Sequence, residues 1–265
     1  YACGGTGVAC FQRDMPELSK RERICLFLDV DGTLLDMAPR PHEVAVPAGL
    51  VETLSRVADF LDGALILISG RPIEDLDRLF APLALRAAGV HGAELRLTGN
   101  GRIARDTLLP APLRERLCAI ALRFGGALAE DKGASIALHF RACPEEGEEM
   151  KRLVEAELAR AGDPSLVMLP GHFVIEVKHG GYDKGTALET FMRLPPLARL
   201  KPLMIGDDVT DEAAFRAALR LGGRAWSVGR EVPGAERRFD AARDVRAWLK
   251  DFADPETSRH RGSAR

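Results

Sequence analysis

The sequence predicts an α/β protein, a Rossmann-like doubly wound parallel sheet with an inserted α+β domain. Short apolar runs alternate with helical patterns at both ends of the chain, as a parallel sheet covered by helices requires. Two of those runs, ICLFLDV (24–30) and PLMIGDD (202–208), end in carboxylates. Between them, from about 105 to 181, the pattern changes to paired short strands with two helices. Residues 23–104 and 182–255 are therefore expected to form one domain, and 105–181 a second one inserted into it on two linkers that act as a hinge.

The elements follow in chain order. ICLFLDV is a short, wholly apolar run, the mark of a strand buried on both faces. GLVETLSRVADFL (49–61) has helical spacing and follows Pro47. ALILISG (64–70) is a second buried strand, and Pro72 opens a helix that runs to about Phe80. LRAAGV (85–90) is a third strand, and GAELRLTGNGRIARD (92–106) reads as a hairpin around Gly99-Asn100-Gly101. In the insertion, LRERLCAIALRF (113–124) is an amphipathic helix and ALAEDKGASIALHFR (127–141) is two strands joined at Asp131-Lys132-Gly133. PEEGEEMKRLVEAELARA (144–161) is a surface helix, and SLVMLPGHFVIEVK (165–178) is a hairpin turning at Pro170-Gly171. After PLMIGDD come a helix from about Asp211 to Leu221, a strand RAWSVG (224–229) and a helix near Val245 to Phe252. Residues 1–22 read as a disordered extension without the basic and apolar regions of a signal peptide, and 256–265 as a flexible tail.

Composition excludes some partners. The 265 residues are 46% hydrophobic with a formal net charge of −2. That balance offers no electrostatic basis for binding nucleic acid or an anionic membrane. No run reaches the roughly 18 apolar residues of a membrane-spanning helix. The five cysteines form neither a CxxC pair nor an even framework, which points to a reduced, cytoplasmic chain.

Chemistry concentrates at the strand ends. Asp29 and Asp31 stand one residue apart, so in an extended chain both project to the same side, about 7 Å apart. Two acids held together repel unless a proton or a cation compensates. Ser69-Gly70-Arg71, Lys184 and Gly206-Asp207-Asp208 with Asp211 complete a set that a parallel sheet gathers on one edge. Carboxylates without His or Cys suit Mg²⁺ rather than Zn²⁺. A hydroxyl, an ammonium and turn amides suit a phosphate dianion. Together these groups specify phosphoryl transfer with a carboxylate nucleophile.

DVDGTLL, SGR, a later lysine and GDD resemble the four motifs of the haloacid dehalogenase-like hydrolases. Within that superfamily, DVDGTLLDMAPRPHEVAVP, VHGAELR, EDKGASIALHFR, VIEVK, YDKGTAL and GDDVTDEAAF resemble the trehalose-6-phosphate phosphatases. The resemblance implies a Mg²⁺-dependent enzyme that hydrolyses trehalose 6-phosphate, the last step of trehalose synthesis, paired functionally with the synthase. It implies that Asp29 attacks phosphorus and that Asp31 is the general acid and base. Mg²⁺ would be held by Asp29, the Asp31 carbonyl and Asp207, with Asp208 and Asp211 arranging that shell. Ser69 and Lys184 would bind the transferring group, with Gly32, Thr33, Gly70 and Arg71 around it. The insertion would be a cap that sets specificity, with Glu130, Lys132 and Glu176 on the sugar hydroxyls and Arg141 beside them. For His139 and Lys178 a solvated outer face serves as well, and His42, His91 and His172 need no catalytic role. The neighbouring readings are a sucrose-phosphate or mannosyl-phosphoglycerate phosphatase, a phosphomannomutase-like enzyme and a non-catalytic sugar-phosphate sensor.

Overall fold

The computed structural model describes residues 23–38, 43–105, 108–171 and 173–254. Calls on the segments 1–22 and 256–265, and on His42 and His172, lie outside the described residues. Twelve strands and seven α-helices are present among them. The first part of the chain runs β1 (Ile24–Leu28), α1 (Leu50–Phe60), β2 (Leu65–Ile68), α2 (Ile73–Leu79), β3 (Arg86–Gly89), β4 (Glu94–Arg96) and β5 (Ala104–Arg105). The middle holds α3 (Ala111–Ala121), β6 (Leu128–Asp131), β7 (Ser135–His139), α4 (Gly147–Ala161), β8 (Leu166–Gly171) and β9 (Val174–His179). The last part is α5 (Lys184–Met192), β10 (Lys201–Gly206), α6 (Glu212–Arg220), β11 (Arg224–Val228), β12 (Arg237–Phe239) and α7 (Ala242–Phe252).

The large sheet has the order β12-β11-β10-β1-β2-β3-β4-β5. It is parallel from β12 to β3 and antiparallel at the hairpin of β4 and β5. The wholly apolar β1 shows why such strands lack alternation. Leu26 and Leu28 pack with Leu54 and Val57 of α1 and Leu249 of α7, whereas Cys25 and Phe27 pack with Leu188 and Phe191 of α5 and Phe215 of α6. Both faces are covered, so both sets of side chains must be apolar.

The second sheet is antiparallel with the order β6-β7-β9-β8. Its Ile136, Leu138, Ile175 and Val177 face α3 and α4 and form a separate core with Leu113, Leu117, Met150 and Val154. The intervening positions carry Glu130, His139, Glu176 and Lys178. These polar side chains do not form a solvated outer face. Glu176 and Lys178 are buried, and Lys178 lies over the Tyr182 ring while donating to the carbonyls of His179 and Tyr182.

Three details differ from the sequence expectation. α5 is absent from the sequence expectation; it is only nine residues long, and its buried face includes Lys184 and Gly185 beside the apolar Ala187, Leu188, Phe191 and Met192. β12 is too short and too basic to read as a strand. The second hairpin of the middle region turns beyond Gly171, which pairs with Val174, so Pro170 lies within β8. β8 is an edge strand, where a missing N–H is tolerated.

Phe27 is fully buried and meets the Phe191 ring edge-on at 6.2 Å between centroids. Phe27→Ala is expected to destabilise the protein by about 3–5 kcal/mol, read as a lower denaturation midpoint in urea.

Candidate active site

The carboxyl ends of β1, β2 and β10 converge on one edge of the large sheet. Asp29 follows β1, and its N–H donates to the Ile205 carbonyl of β10 at 3.0 Å, continuing the ladder by one residue. Lys184 is the first residue of α5, an end fixed by Asp183, whose side chain accepts from the Thr186 N–H at 2.7 Å. This places the Lys184 ammonium between two carboxylates, 2.7 Å from Asp29 Oδ1 and 2.6 Å from Asp211 Oδ1. All three groups are buried. The second oxygen of Asp211 accepts from the N–H groups of Asp207 and Asp208, both at 3.0 Å. A 3₁₀ turn over Val209–Asp211 makes that reach possible.

The Asp207 carboxylate accepts from Thr33 Oγ1 at 3.3 Å and lies against Gly32. Gly32 has φ +82°, and a Cβ there would stand 2.1 Å from Asp207 Oδ2, so both backbone and space demand glycine. One carboxylate oxygen from each of Asp29, Asp207 and Asp211 lies within 4.8 Å of the others. Asp208 is not part of that trio. Its side chain accepts from Thr210 Oγ1 at 3.3 Å.

The electrostatics follow from three acids around one base. Burial pushes the Asp29 carboxyl well above its usual range, with Lys184 pulling down and Asp211 and Asp207 pushing up. Burial and then Asp211 raise Asp207 from 3.8 to about 6. Burial opposes the Lys184 charge, but Asp211 and Asp29 hold its pKa above the ordinary value. Asp29 Oδ2 is buried and accepts no hydrogen bond. A buried carboxylate oxygen without a donor needs a proton or a cation, and an all-oxygen donor set fits a hard divalent ion such as Mg²⁺.

Asp31 stands apart from this trio. Its two oxygens accept from Arg71 Nε and Nη2, each at 2.7 Å, in a bidentate pair. Ser69 follows β2, is buried, and its Oγ accepts from the Arg71 N–H at 3.1 Å rather than capping α2, whose N-cap is Pro72. Asp31, Gly70 and Arg71 form one wall of a cleft of about 480 Å³, and Glu130, Lys132, His139 and Arg141 form the facing wall. Lys132 crosses that cleft and donates to the Gly70 carbonyl at 3.0 Å. Glu176 lies behind Lys132, 3.5 Å from its Nζ, and accepts from Ser135 Oγ at 2.6 Å. Burial alone would raise Glu176, yet Lys132 and His91 hold it well below the usual range. His139 Nε2 donates to the Glu130 carboxylate at 3.0 Å and belongs to the cleft wall.

The trehalose-phosphatase family profile matches residues 27–244, most of the chain. A probable trehalose-phosphate phosphatase of Sinorhizobium fredii is 43% identical over 213 residues, covering 80% of each chain. The chain belongs to the trehalose-phosphatase family. Among other trehalose-phosphatase relatives, the trehalose-6-phosphate phosphatase of Escherichia coli is 35% identical over 239 residues, covering 89% of this chain and 88% of the other. A bifunctional trehalose-6-phosphate synthase/phosphatase of Thermoproteus tenax is 34% identical over 249 residues, 90% of this chain and 33% of that one. The fold matches the C-terminal domain of C. albicans trehalose-6-phosphate phosphatase with TM-score 0.72 at 21% identity, covering 88% of this chain and 93% of that one.

Two contacts escaped the sequence. The Asp31–Arg71 pair joins residues 40 positions apart, and nothing in SGR marks its arginine as a partner of the second aspartate. His91 bonds to Glu176, although HGAE reads only as a loop. Asp211 was legible as a third acid of GDDVTD, but its bond to Lys184 was not.

The metal reading makes two linked predictions. In metal-free protein the folded state holds extra protons at Asp207 between about pH 4 and about pH 6, so this group's contribution to stability falls as pH rises through that window. Asp207→Asn is expected to abolish that part of the decline in melting temperature. At neutral pH, Mg²⁺ at 100 times its Kd should stabilise the native protein by about 2.7 kcal/mol, and an equal rise in Asp207→Asn would refute the assignment.

Proposed function

We propose that the chain is a Mg²⁺-dependent phosphatase that hydrolyses trehalose 6-phosphate to trehalose and phosphate. Family membership establishes a phosphatase. The observation that carries it is Lys184 held between Asp29 and Asp211 at the carboxyl ends of β1 and β10, beside a cleft walled by charged side chains of the second sheet.

Asp29 is the nucleophile. Its Oδ1 faces Lys184, and its Oδ2 accepts no hydrogen bond. Attack on phosphorus forms an aspartyl-phosphate, and the sugar oxygen leaves with a proton from Asp31. Water then attacks the phosphoryl group, Asp31 removes its proton, and Asp29 is regenerated. The Lys184 ammonium would neutralise charge on the transferring oxygens, and the Ser69 hydroxyl and the Thr33 N–H would donate to them, whereas the Gly32 N–H is already donated to the Leu35 carbonyl at 2.8 Å. Mg²⁺, held by Asp29, Asp207 and the Asp31 carbonyl with Asp208 and Asp211 supporting, would screen the phosphate charge from the attacking carboxylate. Arg71 donates to both Asp31 oxygens, so one of these two bonds must open before Asp31 can carry the proton that it gives to the departing sugar oxygen.

Residues 108–180 act as the cap. Glu130 and Lys132, which line the cleft, would bind sugar hydroxyls, Arg141 extends the same wall, and Glu176 would act with Lys132 from behind it. Buried polar groups discriminate sugars because an ill-fitting one leaves them unpaired. Functional pairing with a synthase is supported by the bifunctional relative. A cytoplasmic setting is supported by the unpaired Cys25, Cys118 and Cys143, and among the described residues no helix is long and apolar enough to cross a membrane.

Phosphate released from trehalose 6-phosphate, sucrose phosphate, mannosyl-phosphoglycerate and mannose phosphates, with and without Mg²⁺, tests the substrate. Trehalose 6-phosphate with Mg²⁺ should be fastest, and isomerised mannose phosphate with little free phosphate would point to a mutase. Asp29→Asn should lower turnover by roughly three orders of magnitude or more. Asp31→Asn should slow turnover by roughly 10²- to 10⁴-fold while still accumulating phosphoenzyme.

A further inference from the structure

We propose that His91 is a positioning residue that couples sugar in the cleft to the Ser69 loop, a proposal that rests on the phosphatase reading above. His91 sits in an unusual turn after β3. Val90 has φ +46°, His91 +54° and Gly92 +109°, a run of left-handed residues that includes a β-branched one. A non-glycine residue in that region is strained, so the surroundings must hold it.

The restraints come from three directions. The Val90 N–H donates to the Arg71 carbonyl and the His91 N–H to the Ser69 carbonyl, both at 3.0 Å. The Val90 side chain is fully buried with Ala93, Ala134 and Tyr182. Gly92 lies against the carbonyl of Asp183, just before Lys184, where a Cβ would approach within 2.8 Å. The turn thus touches the serine loop, the start of α5 and the second sheet together.

The imidazole makes the decisive contacts. Its Nε2 stands 2.8 Å from Glu176 Oε2, and both groups are buried. Glu176 is held ionised and only accepts, so Nε2 carries the proton, leaving the buried Nδ1 without a partner. The same ring lies against Gly70, where a Cβ would come within 2.7 Å of Nε2. From the other side Lys132 donates to the Gly70 carbonyl at 3.0 Å and lies 3.5 Å from Glu176 Oε1. Gly70, His91, Glu176 and Lys132 therefore close a ring that contains Lys132 of the cleft wall and Gly70, the neighbour of Ser69. A sugar hydroxyl that engages Lys132 changes the forces on Gly70 and on Glu176 behind it, and the His91 ring passes that change to the loop that holds Ser69.

The test compares trehalose 6-phosphate with p-nitrophenyl phosphate, a small phosphomonoester that leaves the sugar cleft empty, using the full chain with Mg²⁺. His91→Ala is expected to lower kcat/KM for trehalose 6-phosphate roughly tenfold or more, while p-nitrophenyl phosphate stays within about twofold. His91→Gln, which keeps a donor of similar reach, should recover most of the loss. Parallel losses on both substrates would assign His91 a purely structural role and overturn the proposal, as would no change on either. If His91→Ala does not fold by circular dichroism, His91→Asn replaces it, since asparagine tolerates the left-handed backbone but is too short to reach Glu176. A wild-type enzyme inactive on trehalose 6-phosphate would instead overturn the substrate reading, and the His91 comparison would then use the phosphosugar that is turned over.

Discussion

The structure turns on one ammonium group set among three carboxylates. Lys184 satisfies Asp29 and Asp211 directly, but a single positive charge cannot balance three negative ones in a place that water barely reaches. Burying an uncompensated charge is expensive, so the imbalance defines what the site must take up. A divalent cation beside the three acids restores the balance, two positive charges against the two negative ones that Lys184 leaves over. The local folding devices all serve this arrangement: the Asp183 cap fixes where α5 begins, the 3₁₀ turn brings Asp211 under the Asp207 and Asp208 amides, and Gly32 leaves space for Asp207.

The outer framework was legible in the sequence because its signals are local. Apolar strands covered on both faces read as uninterrupted apolar runs, and the carboxylates at the ends of β1 and β10 are visible as a change of chemistry within two residues. What stayed hidden was long-range or non-periodic. The helix from Lys184 to Met192 is short, and its apolar stripe is four residues, Ala187, Leu188, Phe191 and Met192, although Asp183 followed by Thr186 is a cap that local chemistry could have revealed. Lys178 looked like a surface charge because an alternating strand pattern does not say what lies opposite its polar face. Here the large sheet's loops and Tyr182 lie there. The Asp31–Arg71 pair and the His91–Glu176 contact join segments with no sequence link, and only the fold brings them together.

The two sheets meet through charged contacts and one small apolar cluster. Lys132 donates to a carbonyl of the serine loop and Glu176 pairs with His91, while Val90 and Ala93 pack with Ala134 and Tyr182. Junctions with so large a polar share resemble transient interfaces more than the inside of a single core.

The pairing of β1 with β10 also bears on how the chain is made. Ile24 lies beside Lys201, so the central ladder of the large sheet stays incomplete until nearly the whole chain has left the ribosome. At ordinary synthesis rates that wait is on the order of ten seconds. The small sheet draws its contacts from a continuous stretch and can close while the rest is still being made. The nascent protein therefore holds a finished small sheet attached to an apolar strand still lacking its neighbour, which is the stage at which holding by a chaperone would matter most.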